Sequence, residues 1–329
     1  MTLFLLLIIL VTLSFDFING FHDTANAIAT VISTRVLTPT SAILMAGVLN
    51  IAGAMVATHV ASTIAKGIVQ PAMATNVLVL AAVIGAISWN LITWVYGIPS
   101  SSSHALIGGL VGAAVAKGGS AIVIWKSLLD KVVYPLVGSP IVGFIVAFIF
   151  MWLIARFVGR FNAARASNSF RKLQLVSSAL MALSHGQNDA QKSMGIITLA
   201  LATNKIIDKP EVPFWVKLAC ALTMGLGTAA GGYRIIKTLG HKIIRLDPVH
   251  GFAAETAGAA VILTASHYGM PISTTHAITA SIFGVGASKR LSAVRWQVAQ
   301  NILVAWVLTI PASAAVGAAA YFLLSSIWK

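Results

Sequence analysis

Negative charge is nearly missing from this chain. Of 329 residues only 8 are Asp or Glu, against 22 Lys or Arg, and charged residues of both signs make up 9%. A water-soluble globule carries about 25% charged residues, so that class is excluded. The single cysteine, Cys220, excludes an intramolecular disulfide and a cysteine-built metal cluster. Low-complexity tracts are lacking, as is the period-2 alternation of an outer-membrane barrel. What fills the chain is apolar: 58% of residues are hydrophobic and the mean hydropathy is +0.90. Apolar runs of roughly 20 residues recur along the whole length, each long enough to cross a bilayer as a helix. An all-α polytopic membrane protein follows. The net charge of +14 sits in short segments between apolar runs, where it sets orientation and gives no reason to expect nucleic acid. Residues 1–18 lack a basic start and a cleavage site, and they read as a retained first membrane segment.

Apolar spans are expected near 3–19, 24–37, 41–65, 75–96, 99–117, 133–157, 173–201, 214–236, 252–267, 271–288 and 297–326. Two are too short to cross. Residues 103–116 reach about 21 Å as a helix, against a hydrocarbon core of about 30 Å, and residues 274–288 repeat the case. Each reads as one arm of a re-entrant hairpin, near 97–119 and 269–290. The most basic segment carries Arg156, Arg160, Arg165, Arg171 and Lys172 and no acid. It reads as a cytoplasmic linker over 156–172 between a first membrane repeat, 1–155, and a second, 173–329.

The repeat is written in the sequence. Gly97-Ile98-Pro99-Ser100-Ser101-Ser102-Ser103-His104 and Gly269-Met270-Pro271-Ile272-Ser273-Thr274-Thr275-His276 start 172 positions apart. A weaker pair, Asn19-Gly20-Phe21-His22-Asp23 and His185-Gly186-Gln187-Asn188-Asp189, is offset by 166. Two related helix starts suggest one polar site assembled from two halves. A helix that begins in mid-membrane leaves its first N–H groups without intrahelical partners, and with the positive end of the macrodipole they favour an anion. Ser101, Ser102, Ser103, Ser273, Thr274 and Thr275 add hydroxyl donors. The competing reading is ordinary capping and interhelical hydrogen bonding.

Among the acids, Asp130, Asp208, Glu211 and Asp247 lie near loops and are expected in solvent. Asp16, Asp23, Asp189 and Glu255 lie in or beside apolar segments, where a charge costs about 2.5–3.5 kcal/mol at a helix centre. Asp23 and Asp189 both follow a Gly that can break the helix, and the competing reading makes each the N-cap of a following half-helix, a role compatible with ion binding. An anion between the tips would meet both carboxylates and be repelled. Protons or Na⁺ arriving with the anion remove that conflict, a physical reason for coupled symport. Asn26, Gln187 and Asn188 are candidate ligands or donors. Lys192 either neutralises a carboxylate or snorkels. His22, beside Asp23, is a candidate proton relay, whereas His104 and His276 read as packing residues. An intramembrane serine hydrolase built on Ser103-His104 or Thr275-His276 is disfavoured because adjacent helical residues point about 100° apart. A passive anion channel would carry Arg or Lys rings.

The stretch Gly20-Phe21-His22-Asp23-Thr24-Ala25-Asn26-Ala27, the run Ser184-His185-Gly186-Gln187-Asn188-Asp189 and the two Pro-hydroxyl-His motifs resemble the PiT family of inorganic phosphate transporters. The resemblance covers nearly the whole chain. It implies two inverted repeats with broken helices and two re-entrant helical hairpins. It also implies cation-coupled phosphate uptake across a bacterial cytoplasmic (inner) membrane, no cofactor and a homodimer. By position, Asp23, Asn26, Ser102, Ser103, Gln187, Asn188, Asp189, Thr274 and Thr275 would hold phosphate and cation, with Na⁺ at Asp23, Asn26, Asn188 and Asp189. His22 and Lys192 stand where the commoner motifs carry Asn. That form resembles the bacterial low-affinity, proton-coupled branch, so H⁺ is the expected coupling ion and Na⁺ the alternative. The expected partners are phosphate, free or as a metal–phosphate complex, the cation, membrane lipid and a second copy of the chain. Relatives that move sulfate keep that anion as an alternative.

Overall fold

A computed structural model describes residues 2–158 and 163–328. It is all α-helical, with one isolated β-bridge, Val69–Val123, among the described residues. The first half runs α1 (Leu3–Ser33), α2 (Pro39–Ala54), α3 (His59–Gly67), α4 (Asn76–Tyr96), α5 (Ser102–Gly118), α6 (Trp125–Leu128), a π-helical turn (Leu129–Val133) and α7 (Tyr134–Val158). The second half runs α8 (Ala163–Thr203), α9 (Phe214–Ala230), α10 (Tyr233–Lys237), α11 (Pro248–His267), α12 (Thr274–Lys289) and α13 (Trp296–Ile327). Details recur between halves: short 3-10 turns follow α5 and α12, and Pro140 in α7 is matched by Pro311 in α13. Four stretches, Leu3–Ser33, Asn76–Tyr96, Trp125–Phe157 and Trp296–Ile327, are long and apolar enough to cross a membrane.

Hydrogen bonds fix how α1 and α8 are related. Ser193 Oγ donates to Asp16 Oδ1 at 2.8 Å, and Thr34 Oγ1 donates to Gln174 Oε1 at 2.9 Å. From Asp16 to Thr34 the chain advances 18 positions, while from Ser193 to Gln174 it retreats 19, so the two helices are antiparallel. Equivalent helices of opposite sense are what an inverted repeat requires. The halves also interlock. Each half's first helix packs on the other half's second (α1 on α9, α8 on α2), and each hairpin's inner arm packs on the other half's last long helix (α5 on α13, α12 on α7).

The structure differs from the expected spans at several points. The two spans expected at 3–19 and 24–37 are one helix, α1, which runs straight through Gly20. Gly20 and Gly186 are there for close crossing, not for a break. A methyl group on Gly20 would meet the Met224 carbonyl oxygen at 2.6 Å, and one on Gly186 would collide with the backbone of Asn50. Asp23 and Asp189 are therefore mid-helix side chains and not N-caps. The span expected at 41–65 is a broken pair, α2 and α3, bent by 65°. The basic segment expected as a linker is helical from Ala163, the start of α8; Arg160, Phe161 and Asn162 lie outside the described residues. The four loop acids, Asp130, Asp208, Glu211 and Asp247, are exposed as expected.

Each hairpin turns on a glycine with positive φ, Gly97 (63°) and Gly269 (67°), a backbone region that other residues enter at a cost. Each glycine carbonyl accepts a hydrogen bond from the opposite half: Gly97 from Thr238 Oγ1 at 3.0 Å, and Gly269 from Thr63 Oγ1 at 2.7 Å.

Replacing Gly186 with Ala must push α8 and α2 apart, a cost of about 1–3 kcal/mol by the usual price of overpacking. Thermal unfolding of the detergent-solubilised chain is expected to shift down for Gly186→Ala. Gly138→Ala, where an added methyl meets nothing within 4 Å, is expected to leave it unchanged or raise it slightly.

Candidate functional site

The hairpin tips meet over the middles of α1 and α8. Ser101 and Ser273 cap the inner arms, their hydroxyls accepting the backbone N–H of His104 at 3.2 Å and of His276 at 3.1 Å. Both serines, expected to reach an anion, use an oxygen lone pair for capping, and each hydroxyl proton remains available to donate. The hydroxyls after them point into the site. Ser102 Oγ donates to Asp23 Oδ2 at 3.1 Å, Thr275 Oγ1 to Asp23 Oδ1 at 3.5 Å, and Thr274 Oγ1 to Asp189 Oδ2 at 3.3 Å. Asn26 Nδ2 donates to Thr275 Oγ1 at 2.9 Å and to Thr274 Oγ1 at 3.3 Å. Ser103 Oγ crosses between tips to the Ile272 carbonyl at 2.7 Å. One buried polar cluster thus joins both tips and both carboxylates.

Gln187 and Asn188 sit at its edge. Asn188 Nδ2 donates to Ser266 Oγ at 2.8 Å and to the Met270 carbonyl at 3.4 Å, holding the turn behind the second tip. No hydrogen bond among the described residues joins the Gln187 side chain to the tips; the Gln187 backbone carbonyl accepts from Gln191 Nε2 at 2.6 Å. Lys192 is fully buried with Nζ 2.8 Å from Asp189 Oδ1, so it neutralises a carboxylate and does not snorkel. His22 Nδ1 lies 2.6 Å from Asp23 Oδ1, a separation that requires a proton between them, and its Nε2 lies 3.0 Å from Thr93 Oγ1.

Sequence reasoning missed His185, whose Nε2 lies 3.4 Å from Asp189 Oδ2. Its signal was the i,i+4 spacing, which puts His185 and Asp189 on one helix face. The direction of its hydrogen bonds can be read outward from Thr228. Thr228 Oγ1 donates to the Met224 carbonyl at 3.0 Å, so its oxygen accepts from Asn50 Nδ2 at 2.7 Å. Asn50 Oδ1 is thereby turned to His185 Nδ1 at 3.2 Å and must accept its proton. With Nδ1 committed to Asn50, Nε2 is the nitrogen that faces Asp189. Ligand atoms of Asp23, His185 and Asp189 lie within 4.8 Å of one another.

The remaining candidates lie apart. Asp16 accepts from Ser193, and Glu255 accepts from Thr30 at 2.5 Å, Ser177 at 2.5 Å and Gln174 at 3.0 Å. His104 and His276 pack ring to ring at 4.8 Å, and His276 stacks on Trp306 at 3.7 Å. With Ser103 bonded to Ile272 and neither His104 nitrogen hydrogen-bonded, that pair is not a nucleophile and its base.

A family model described as "Phosphate transporter family" matches residues 19–317, which hold every side chain of this site. The chain belongs to the phosphate transporter family. It is 50% identical over 326 residues to a probable low-affinity inorganic phosphate transporter of Bacillus subtilis, covering 98% of each chain. It is 49% identical to a protein of the same description from Rhizobium meliloti, covering 96% of this chain and 95% of that one. Its fold is similar to a solved structure titled "The sodium-dependent phosphate transporter", with a TM-score of 0.89 at 27% identity, covering 99% of this chain and 100% of that one. The family is one of transporters and not of enzymes, and the chain is a multi-pass protein of the inner membrane.

Asn50→Leu removes the acceptor that selects the Nδ1–H form of His185. Solid-state nitrogen NMR of labelled histidine is expected to find that form at His185 in the parent chain and the Nε2–H form in the variant. An unchanged spectrum would mean that Asn50 does not set the tautomer.

Proposed function

We propose that this chain is a secondary symporter that imports inorganic phosphate with protons, as a homodimer whose halves, 1–155 and 173–329, are inverted repeats. The observation that carries the reading is the set of three buried proton- or cation-binding side chains, Asp23, Asp189 and His185, whose ligand atoms lie within 4.8 Å under hydroxyl-bearing tips. Carboxylates so placed repel one another unless a positive guest lies among them. Phosphate needs the same donors. Ser102, Thr274 and Thr275 serve the carboxylates in this structure, and an anion at the tips competes for them. Once the hydroxyls turn to phosphate, the carboxylates are left to a cation, so each guest makes room for the other.

Protons suit the positive guest because two of the groups beside the carboxylates are imidazoles. His22 already shares a proton with Asp23, and His185 aims a nitrogen at Asp189. Hard cations prefer oxygen ligands to nitrogen. Lys192 supplies a fixed positive charge to Asp189, leaving less need for a second metal ion. A sodium-coupled reading is favoured by a different observation: among the described residues Asn26 Oδ1 and Asn188 Oδ1 are buried acceptors without hydrogen-bond partners, neutral oxygens of the kind Na⁺ takes. The solved relative named as sodium-dependent supports the same alternative. Sulfate has the same tetrahedral oxygens, and the site's neutral hydroxyls fit either anion. Phosphate is preferred here for the names of the relatives.

Radiolabelled phosphate uptake into proteoliposomes, with a proton gradient and a sodium gradient imposed separately, separates these readings. Uptake is expected to follow the proton gradient; indifference to both would end the symport reading. Asp23→Asn and Asp189→Asn are expected to insert normally and to lose accumulation. Ser102→Ala and Thr275→Ala are each expected to raise half-saturation roughly tenfold, a hydrogen bond to a charged group being worth about 1.5–3 kcal/mol.

A further inference from the structure

Beside the buried site lies an open cavity of about 510 Å³ that no expectation covered. Its wall gathers basic and hydroxyl groups from four separate elements. His59, Thr63 and Lys66 come from α3, Lys131 from the π-helical turn before α7, and His267 from the end of α11, with Ser62 and Ser127 between them. No carboxylate lines it. Asp130 is the one acid within 59–67, 125–133 and 264–270, and it is not among the lining residues. Among the described residues neither lysine has an acidic partner; Lys131 Nζ reaches only the Tyr268 carbonyl, at 3.4 Å. His59, Lys66 and His267 are exposed, so the cavity is open to a solute.

Both walls are tied to the turn of α8 that carries Asp189. On one side, Gly269 lines the cavity, and the next residue's carbonyl, Met270 O, accepts from Asn188 Nδ2. On the other, the start of α3 is capped by Gln191, whose Oε1 accepts the backbone N–H of Val60 at 2.8 Å and of Ala61 at 3.2 Å. The cavity therefore sits against the back of the second tip, with the tip's own glycine in its wall.

We infer that this cavity is a second oxyanion site, a staging site where hydrogen phosphate waits beside the buried cluster. Two unpaired ammonium groups with hydroxyls and no acid attract a small anion and raise its local concentration. The volume leaves room for a hydrated ion, which fits loose capture ahead of the tighter grip of the tips. A lipid phosphate headgroup has the same charge chemistry, and the free ion is the occupant argued for here because the cavity abuts the tip. The inference rests on the phosphate reading above and is tested so that the two can fail separately.

The test compares the parent chain with the Lys66→Gln/Lys131→Gln double variant and the Lys66→Arg/Lys131→Arg control. Phosphate uptake is measured in phosphatidylcholine vesicles at low and high salt. In the glutamine variant, half-saturation is expected to rise about tenfold at low salt with the maximal rate kept, and the difference is expected to shrink as salt screens it. The arginine control is expected to behave as the parent. Equilibrium dialysis of inorganic phosphate against the solubilised Ser102→Ala/Thr275→Ala chain, which lacks the tip hydroxyls, is expected to find a residual bound ion that disappears when the glutamine pair is added. Equal half-saturation in parent and glutamine variant would overturn the staging site while leaving transport standing. Phosphatidylglycerol that raises half-saturation in the parent but not in the glutamine variant would assign the cavity to lipid and overturn it too. A parent chain that accumulates no phosphate under any gradient would instead sink the transport reading, and dialysis would still report on the cavity.

Discussion

Two carboxylates held in an apolar interior, Asp23 and Asp189, are the constraint around which the rest is arranged. Neither can stay charged there without partners. Asp23 has His22 at 2.6 Å and Asp189 has Lys192 at 2.8 Å, and the hairpin hydroxyls supply further donors. Moving either acid by one helical position would turn it from the tips to the lipid or to a packed helix face. The close crossings at Gly20 and Gly186, one residue cluster before each acid, set how near the flanking helices stand and hence where each carboxylate lies.

The interlocking of the halves follows from the same need. One short hairpin offers a single start of unshared donors, enough for one face of a tetrahedral guest. Bringing a second start opposite it requires a second half of reversed sense, and antiparallel α1 and α8 provide that. The two tips then touch directly through Ser103 and Ile272. The second tip serves both acids, Thr274 reaching Asp189 and Thr275 reaching Asp23. The site is thus shared across the repeat and cannot be built by either half alone.

Much of this was legible in the residues. The doubled Pro-hydroxyl-His motif marked both tips, and intramembrane acids marked the floor. What failed to show is instructive. Gly20 reads as a helix breaker in isolation, because nothing local says that Met224, some 200 positions away, will press against it. His185 lies in the same motif as Gln187, Asn188 and Asp189, and only its i,i+4 spacing to Asp189 distinguishes it from its polar neighbours. Asn50 is a lone polar residue in an apolar span, a pattern that points to a buried partner without naming it. Ser101 and Ser273 were indistinguishable from their neighbours in sequence; only the backbone geometry of the helix start decides which hydroxyl turns inward to cap. The bend between α2 and α3 left no Pro or Gly run to announce it.

The threonine bonds to the two tip glycines carry one more consequence. Each ties a hairpin's elbow to the opposite half through a single uncharged link, Thr63 to Gly269 and Thr238 to Gly97. Such a link is worth about 1 kcal/mol, little beside the interaction of an ion with its ligands. The residue at each elbow is also the one that tolerates a wide swing in backbone angle. Each elbow is accordingly fastened far more weakly than the long helices beside it are packed, so the joint can give while those helices keep their shape.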